Sequence, residues 1–245
     1  MTNIDVVLPC YQPPSQWQKG LIELYYNLKA TYKLHFIVVL DGTPKLQITE
    51  ALNDLTALEI THTCIELSTN FGKGHAIRQG VMRAEAPIII YTDIDIPFTV
   101  QSFNLLLQVL VHQEADVVVG IRDVTYYQNR MSGSRRALSK VFRAFIKTCV
   151  KMPISDTQCG LKGFNSNAKP LFLKTQIKRY LFDFEWIYIL SRQKELRLKP
   201  VVVELKQGVN FRRMPLWVLM QEFWNLMRIF INVEFKITQY IHALL

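Results

Sequence analysis

The stretch Ile88-Ile89-Ile90-Tyr91-Thr92-Asp93-Ile94-Asp95-Ile96-Pro97 decides how the rest of this sequence is interpreted. An apolar run followed at once by two carboxylates is typical of a buried strand that ends at the ligand-binding edge of an α/β sheet. In an extended segment Asp93 and Asp95 would point to the same side, because side chains alternate along a strand. Hard divalent cations prefer oxygen ligands of this kind, so the pair is a candidate metal site. A short Asp-x-Asp is also typical of a turn or a helix cap, and the stretch alone leaves that alternative open.

Apolar runs and helical periodicities alternate on both sides of this stretch. The pattern predicts strands at 5–9, 34–40, 60–67, 88–91 and 117–120, and helices at 17–32, 74–85 and 101–112. Strands that alternate with helices in this way form a mostly parallel sheet with helices on both faces. We therefore expect an α/β fold.

The segment Asn70-Phe71-Gly72-Lys73-Gly74 precedes one of the predicted helices and invites comparison with phosphate-binding motifs. A Walker A loop needs Ser or Thr after Gly-Lys, and a dinucleotide fingerprint needs a third glycine where this chain has Ile77. Neither motif is complete. The segment can still place Lys73 and backbone N–H groups near an anion at a helix N-terminus, with an ordinary helix-starting loop as the alternative.

Composition sets broad limits. A chain of 245 residues, with 49% apolar and 20% charged residues, fits one large α/β domain or two small ones. Its four cysteines are scattered without a CxxC pair, so we expect neither a zinc site nor a disulfide framework, and a reducing cytosol fits best. We also expect no signal peptide and no spanning helix, because no apolar run approaches the roughly 20 residues needed.

Positive charge is concentrated in the middle of the chain. Residues 120–213 carry 20 Lys and Arg against 6 Asp and Glu, whereas residues 1–119 carry 7 against 12. Such an excess indicates a polyanionic partner, which nucleic acid, nucleotide phosphates or an anionic membrane surface would satisfy. No RNA-reading motif accompanies the charge, so nucleic acid is not the expected partner.

Two segments are amphipathic. In 136–151 five cations recur at helical spacing with apolar residues opposite, and in 216–245 a narrow polar stripe runs along an otherwise apolar helix. A solvated face is the ordinary explanation of the first pattern, but five cations without an acidic partner repel each other unless an anion meets them. We expect the first segment to lie on a membrane surface, and the second to lie there or against another subunit.

Several motifs follow one another in a recognisable order: Pro9-Cys10-Tyr11, Asp41-Gly42-Thr43, Asn70-Phe71-Gly72-Lys73-Gly74, Asp93-Ile94-Asp95, Gly120-Ile121-Arg122, Arg135 with Ser139, Asp156-Thr157-Gln158-Cys159-Gly160-Leu161-Lys162-Gly163-Phe164, and Phe182-Asp183-Phe184-Glu185. In this order they resemble the GT-A glycosyltransferases, and among these the dolichyl- or polyprenyl-phosphate sugar synthases of the dolichol-phosphate mannosyltransferase type. The resemblance covers about residues 4–205. It implies a GT-A catalytic domain at 1–213, followed by a C-terminal amphipathic helical segment at 214–245.

The resemblance implies an inverting, metal-dependent transfer of a hexose from a GDP- or UDP-linked sugar to a polyprenyl phosphate. The protein would be attached peripherally to the cytoplasmic face of a membrane. The implied donor-binding residues are Pro9, Tyr11, Asp41, Lys73 and Asp93. Asp93 and Asp95 would hold a Mg²⁺ or Mn²⁺ ion.

The same resemblance assigns the acceptor phosphate to Arg122, Arg135 and Ser139. The chain departs from the family's pattern at Gln12-Pro13, at Leu40, and at Pro97, which stands where dolichol mannosyltransferases carry a further metal-binding Gln.

Two other functions are open on the sequence. The same fold can transfer sugar to a hydroxyl of a cell-surface glycan, which requires a carboxylate base. Asp156, Asp183 and Glu185 are the candidates for that base, and each is equally well explained as a hydrogen-bond acceptor that orders a loop. The other alternative is a non-enzymatic basic module that binds nucleic acid or membrane.

Overall fold

A seven-stranded sheet forms the centre of the computed structural model, which describes residues 1–122, 154, 156–193 and 195–208. Its strands are β1 (Thr2–Cys10), β2 (Tyr32–Asp41), β3 (His62–Leu67), β4 (Ile88–Tyr91), β5 (Val117–Arg122), β6 (Lys162–Asn165) and β7 (Leu198–Val203). They lie in the order β3-β2-β1-β4-β6-β5-β7, and β6 runs antiparallel to both of its neighbours while the other pairings are parallel. The predicted, mostly parallel sheet is confirmed.

Helices cover both faces of this sheet, as predicted. They are α1 (Gln18–Leu28), α2 (Thr49–Ala57), α3 (Lys73–Arg83), α4 (Val100–Val111), α5 (Lys169–Phe172) and α6 (Phe182–Ser191), with a 3-10 helix at Lys45–Ile48. Helices α1, α2 and α4 contribute to one hydrophobic core, and α3, α5 and α6 to the other.

The central strands are apolar on both sides because both sides are covered. In β2, Val38 belongs to the core with α1 and Val39 to the core with α3, and both are fully buried. A parallel strand between two helical layers therefore shows a continuous apolar run rather than alternation. These runs are the signal from which the first five strands were predicted.

The structure corrects the predicted ends of several elements. Strand β1 begins at Thr2 rather than at residue 5, and α1 ends at Leu28 rather than at 32, because Tyr32 already pairs with Thr2 as the first residue of β2. Helices α2, α5 and α6 and strands β6 and β7 were not predicted. Strand β6 has no apolar run, and β7 is a partly exposed edge strand that contains Pro200.

Several predictions concern residues outside the described part of the chain. They are Arg135, Ser139, the cationic segment 136–151, the domain boundary at 213 and the amphipathic segment 214–245. In the part that is described, no helix combines the length and the apolar character needed to cross a membrane.

Candidate active site

The carboxyl ends of β1, β2, β4 and β5 meet at one edge of the sheet, and this edge gathers the described site residues predicted from the sequence. Pro9 and Tyr11 lie at the end of β1, Asp41 ends β2, Lys73 begins α3, Asp93 and Asp95 follow β4, and Arg122 ends β5. Strand β1 lies between β2, to which the chain continues, and β4, which comes later in the chain. The direction in which strands are added to the sheet therefore reverses at β1, which makes this edge a topological switch point. Ligands of open α/β sheets bind in the crevice at such a point.

The segment that carries Asp93 and Asp95 is a turn. The N–H group of Ile96 donates to the carbonyl oxygen of Asp93 over 3.0 Å, and Ile96 has a φ of 44°. The expectation of an extended segment is therefore wrong. Side chains do not alternate in a turn as they do along a strand, so alternation does not predict where the two carboxylates lie. Positive φ strains a β-branched residue and is found where the surrounding structure enforces it.

Helix α1 makes room for this turn at Gly20. A Cβ at Gly20 would lie 3.0 Å from the carbonyl oxygen of Asp95 and 3.2 Å from the Cβ of Ile96, which is completely buried. The turn thus packs tightly against α1, and this packing accompanies the strained conformation of Ile96. Asp95 itself is exposed, and Asp93 is half-buried.

Lys73 and Asp93 form an ion pair within the candidate site. The Nζ of Lys73 lies 2.5 Å from Oδ1 of Asp93, and the two side chains are 22% and 39% exposed. Burial alone would lower the pKa of Lys73, but the negative charges of Asp93 and Asp183 outweigh it, so the pKa lies above the ordinary lysine value. Lys73 is therefore a cation at neutral pH.

Asp41 organises the loop in front of Lys73. Its Oδ1 accepts the N–H group of Phe71 over 2.7 Å, and its Oδ2 accepts that of Gly72 over 2.8 Å. Two backbone N–H groups just before α3 are thus bound by a side chain of the protein itself. The neighbouring Gly42 has a φ of 75° and approaches the loop closely, because an added Cβ would lie 2.5 Å from the backbone nitrogen of Asn70.

Arg122 pairs with Asp156 in the loop that leads into β6. The guanidinium donates from Nε to Oδ2 over 3.0 Å and from Nη2 to Oδ1 over 2.8 Å, and the Arg122 backbone N–H also donates to Oδ2. This loop continues to Gly160, whose added Cβ would lie 2.7 Å from Oδ2 of Asp93. One short loop therefore contacts both the predicted phosphate-binding arginine and the predicted metal ligand.

A buried polar network lies beneath that loop. The Nζ of Lys162 donates to Oδ1 of Asp183 over 2.6 Å and to the carbonyl oxygen of Cys159 over 2.5 Å, and the Tyr91 hydroxyl donates to the same Oδ1 over 2.7 Å. Lys162 is completely buried. Lys162 was assigned no role from the sequence, because no local pattern distinguishes it from an exposed strand lysine.

The three candidate bases are all buried and serve as hydrogen-bond acceptors within the fold. Asp156 holds Arg122, Asp183 belongs to the Lys162 network, and Glu185 accepts the N–H groups of Gln176 and Ile177 over 2.8 to 2.9 Å. These contacts favour the loop-ordering explanation of the three acids.

A cleft of about 390 Å³ lies beside Asp41, at the carboxyl ends of β2 and β3. It is lined by Gly42, Thr43, Pro44, Glu66, Leu67 and Ser68. This volume is within the range of small-molecule sites.

The residue types of Asp93 and Asp95 suit a hard divalent cation. Their carboxylates supply oxygen ligands, and the missing side chain at Gly160 leaves only backbone beside Oδ2 of Asp93. The ammonium group of Lys73 on Oδ1 shows that a positive charge is accommodated there. Among the described residues, no group of three or more His, Cys, Asp or Glu side chains gathers as a metal site.

Comparison with known proteins identifies curated relatives of this chain. Dolichyl-phosphate beta-glucosyltransferase ALG5D of Trichomonas vaginalis is 25% identical over 220 residues, which are 82% of this chain and 65% of that protein. The dolichyl-phosphate beta-glucosyltransferase of Drosophila melanogaster is 25% identical over 235 residues, 89% of this chain and 72% of its own length. The chain thus spans only about two thirds of the length of these relatives.

Solved structures share the fold at low sequence identity. Mannosyl-3-phosphoglycerate synthase from Rubrobacter xylanophilus matches 94% of this chain and 73% of its own, with a TM-score of 0.67 and 13% identity. Glucosyl-3-phosphoglycerate synthase from Mycobacterium tuberculosis, in complex with Mn²⁺, UDP-glucose and phosphoglyceric acid, matches 89% of this chain and 74% of its own, with a TM-score of 0.56 and 12% identity. Both are GT-A glycosyltransferases, so the predicted fold is confirmed. Residues 5–168 match the family model for glycosyl transferase family 2, and the chain belongs to this family.

Proposed function

We propose that this protein is an inverting glycosyltransferase that moves a hexose from a nucleoside-diphosphate sugar to a dolichyl or other polyprenyl phosphate. The observation that carries the proposal is the Asp93–Lys73 pair at the topological switch point. A cleft of about 390 Å³ at the carboxyl ends of β2 and β3, along the same edge of the sheet, offers room for part of the donor. The names of the curated relatives favour glucose as the hexose and dolichyl phosphate as the acceptor.

The donor would lie across the carboxyl ends of β1, β2 and β4. The base and ribose would occupy the cleft beside Asp41, with Pro9 and the exposed Tyr11 on the β1 side. The diphosphate would then reach Lys73 and Asp93. Asp41 supports this arrangement by fixing the loop that carries Lys73, whether or not it also meets the ribose.

The reaction breaks the bond between the anomeric carbon and the β-phosphate oxygen, and forms a bond from an acceptor phosphate oxygen to that carbon. A divalent cation held by Asp93 and Asp95 would supply Lewis-acid neutralisation of the leaving diphosphate. Lys73 contributes a fixed positive charge on the same side, and Arg122 would contribute one on the acceptor side, together with Arg135 and Ser139 outside the described residues.

A phosphate acceptor would need no general base. Its oxygen is already anionic at neutral pH, whereas a sugar hydroxyl must lose a proton to a carboxylate. Asp156, Asp183 and Glu185 are each bonded to cationic or N–H partners within the fold, which supports the phosphate acceptor over the saccharide hydroxyl. Positioning and electrostatics then account for the rate.

A lipid acceptor requires proximity to a bilayer, and we propose peripheral association with the cytoplasmic face of a membrane. The cations of 136–151 and the apolar side of 216–245 are the segments suited to it. Flotation with anionic liposomes tests this: the protein should float at low salt, and protein that stays at the bottom of the gradient would exclude the association.

The test of the function is transfer of radiolabelled hexose into an organic-extractable lipid. UDP-glucose and GDP-mannose would be compared as donors, with dolichyl phosphate as the acceptor and Mg²⁺ or Mn²⁺ present. We expect the wild-type protein to produce lipid-linked glucose. The rate of transfer should fall at least about 100-fold in Asp93→Asn and in Asp95→Asn. Asp54→Asn, a carboxylate on α2 that accepts the exposed amide of Gln18, is the control and should retain activity. Label recovered on a saccharide instead of the lipid would overturn the assigned acceptor.

A further inference from the structure

Lys73 occupies one of the two carboxylate oxygens of Asp93, the candidate metal ligand. Its ammonium lies 2.5 Å from Oδ1 of Asp93, which is the distance at which Ca²⁺ binds a carboxylate and longer than the roughly 2.1 Å of Mg²⁺. A divalent cation on the same oxygen would be in direct repulsive contact with the ammonium group. In the free protein the charge of Asp93 is thus already neutralised by a charge that belongs to the protein.

The backbone of Lys73 is held in place from three directions. Asp41 binds the N–H groups of the two preceding residues, and the next residue, Gly74, packs so closely on Phe182 that an added Cβ would lie 2.5 Å from the Phe182 Cβ. The N–H group of His75 donates to the carbonyl oxygen of Lys178 over 3.0 Å. With its Cα fixed, Lys73 can leave Asp93 only by swinging its flexible side chain.

We propose that Lys73 is a resident competitor of the divalent cation at Asp93, and that the donor's diphosphate removes this competition by drawing the ammonium group away. This inference rests on the proposed function for the identity of the diphosphate. Before the donor arrives, Lys73 weakens metal binding. When the diphosphate binds, Lys73 pairs with it and Asp93 becomes free for the metal. The two ligands therefore bind cooperatively.

Thermodynamic linkage makes the consequence reciprocal. If the diphosphate raises metal affinity by a given factor, the metal raises diphosphate affinity by the same factor. Part of that factor would come from the displacement of Lys73, in addition to any direct contact between the two ligands. Removing the ammonium group should therefore tighten metal binding to the free protein and, at the same time, weaken binding of the nucleotide.

The size of the effect follows from the exposure of the pair. An ion pair between partly exposed side chains affects a binding constant by up to about fivefold. The two opposite signs are more diagnostic than the size, because a variant that simply loses its structure would bind both ligands more weakly.

The test measures Mn²⁺ binding from the electron paramagnetic resonance signal of the free ion, and UDP binding by calorimetry without metal. Both are measured on the wild type, Lys73→Met and Lys73→Gln at constant ionic strength. We expect both variants to bind Mn²⁺ up to about fivefold more tightly and UDP more weakly, and the enhancement of Mn²⁺ binding by UDP to shrink. Unchanged or weaker Mn²⁺ binding in both variants would overturn the proposal.

Lys178→Met is the matched control. Lys178 belongs to the same region, with its ammonium 5.8 Å from the ring of Phe71, but its contact is with that ring rather than with Asp93. If Lys178→Met also bound Mn²⁺ more tightly by the same factor, the effect would come from the overall electrostatic field of the region and not from competition at Asp93. That result would overturn the proposal. The function is judged separately: a wild-type chain that transfers no sugar, but shows the expected Mn²⁺ affinities, refutes the transferase assignment and leaves the competition in place.

Discussion

Gly160 lies against Asp93 with no room between them for a side chain. A Cβ at position 160 would stand 2.7 Å from Oδ2 of Asp93 and 3.8 Å from the ring of Phe98. Because Lys73 binds the other oxygen of this carboxylate, Gly160 and Lys73 flank Asp93 on its two sides. The orientation of the candidate metal ligand therefore depends on a loop that enters β6, more than 60 residues further along the chain.

Gly160→Ala is expected to impair function far more than stability. The new methyl group would force the Asp93 carboxylate or the loop to move by several tenths of an ångström, and misplacement of a catalytic group by about 1 Å costs on the order of 100-fold in rate. Sugar transfer should fall by one to two orders of magnitude, roughly, while the midpoint of thermal unfolding changes little, because both partners lie at the partly open edge of the sheet.

Gly163→Ala is the control for that experiment. Its Cβ would lie 2.6 Å from Cδ2 of Leu106 and 2.9 Å from Cδ1 of Leu110, inside the core beneath α4. Overpacking of this kind costs about 1 to 3 kcal/mol. Gly163→Ala should therefore lower the unfolding midpoint and retain activity in the cold. If Gly160→Ala also lowers the unfolding midpoint and retains activity, the space beside Asp93 is not required for function.

The functional edge of the sheet could be predicted from the sequence because its markers are local. The apolar run of β2 ends directly before Asp41, and that of β4 ends two residues before Asp93. The alternation of strands with helices makes these strands parallel, and parallel strands bring their carboxyl ends to one edge. Each step uses only residues that are neighbours in the chain.

The contacts within the edge could not be predicted, because they join residues that are distant in the chain. The strained φ of Ile96 accompanies packing against Gly20, which no pattern around Asp93 reveals. Lys162 has the sequence environment of an exposed strand residue, but it is buried because Asp183, 21 residues later, neutralises it. Local periodicity contains no information about such partners.

Lys162→Met tests the buried network. Removing one partner of a buried ion pair leaves the other charge uncompensated, so we expect the free energy of unfolding to fall by about 3 to 5 kcal/mol. Asp183→Asn should have a similar effect, and the double variant should lose clearly less than the sum, because the two changes remove one shared interaction. Urea denaturation measures all three. Strict additivity would show that the pair does not act as a unit.

Asp41→Asn tests the loop that carries Lys73. An amide can accept from only one of the N–H groups of Phe71 and Gly72, and its own NH₂ group would face the other, so we expect a loss of about 1.5 to 3 kcal/mol in stability together with weaker nucleotide binding. The matched control is Asp116→Asn: this buried carboxylate binds the Arg197 N–H and the Asn165 amide at the opposite end of β5. It should lose stability and retain nucleotide affinity. Equal nucleotide affinities in the two variants would remove Asp41 from the donor site.

The Arg122–Asp156 pair predicts how stability responds to acid. Burial alone would raise the pKa of Asp156, but its hydrogen bonds with Arg122 and the charge of that residue outweigh burial and hold the pKa below the ordinary value. A carboxyl group with a lowered pKa stabilises the fold at pH values above its unfolded pKa of about 3.9. The contribution is lost as the pH falls through the lower, folded-state pKa.

We therefore expect Asp156→Asn to reduce the free energy of unfolding by about 3 kcal/mol at pH 7, because Arg122 keeps its charge and loses its partner. The difference between wild type and variant should shrink as the pH falls below about 4, since a protonated Asp156 resembles the asparagine. Urea denaturation at a series of pH values from 7 down to about 2, which extends below the unfolded pKa, measures this difference. Glu50→Gln, at an exposed carboxylate of α2, should differ from wild type by less than about 0.5 kcal/mol throughout. A constant difference between wild type and Asp156→Asn across the series would mean that the ion pair contributes nothing to the acid sensitivity of the fold.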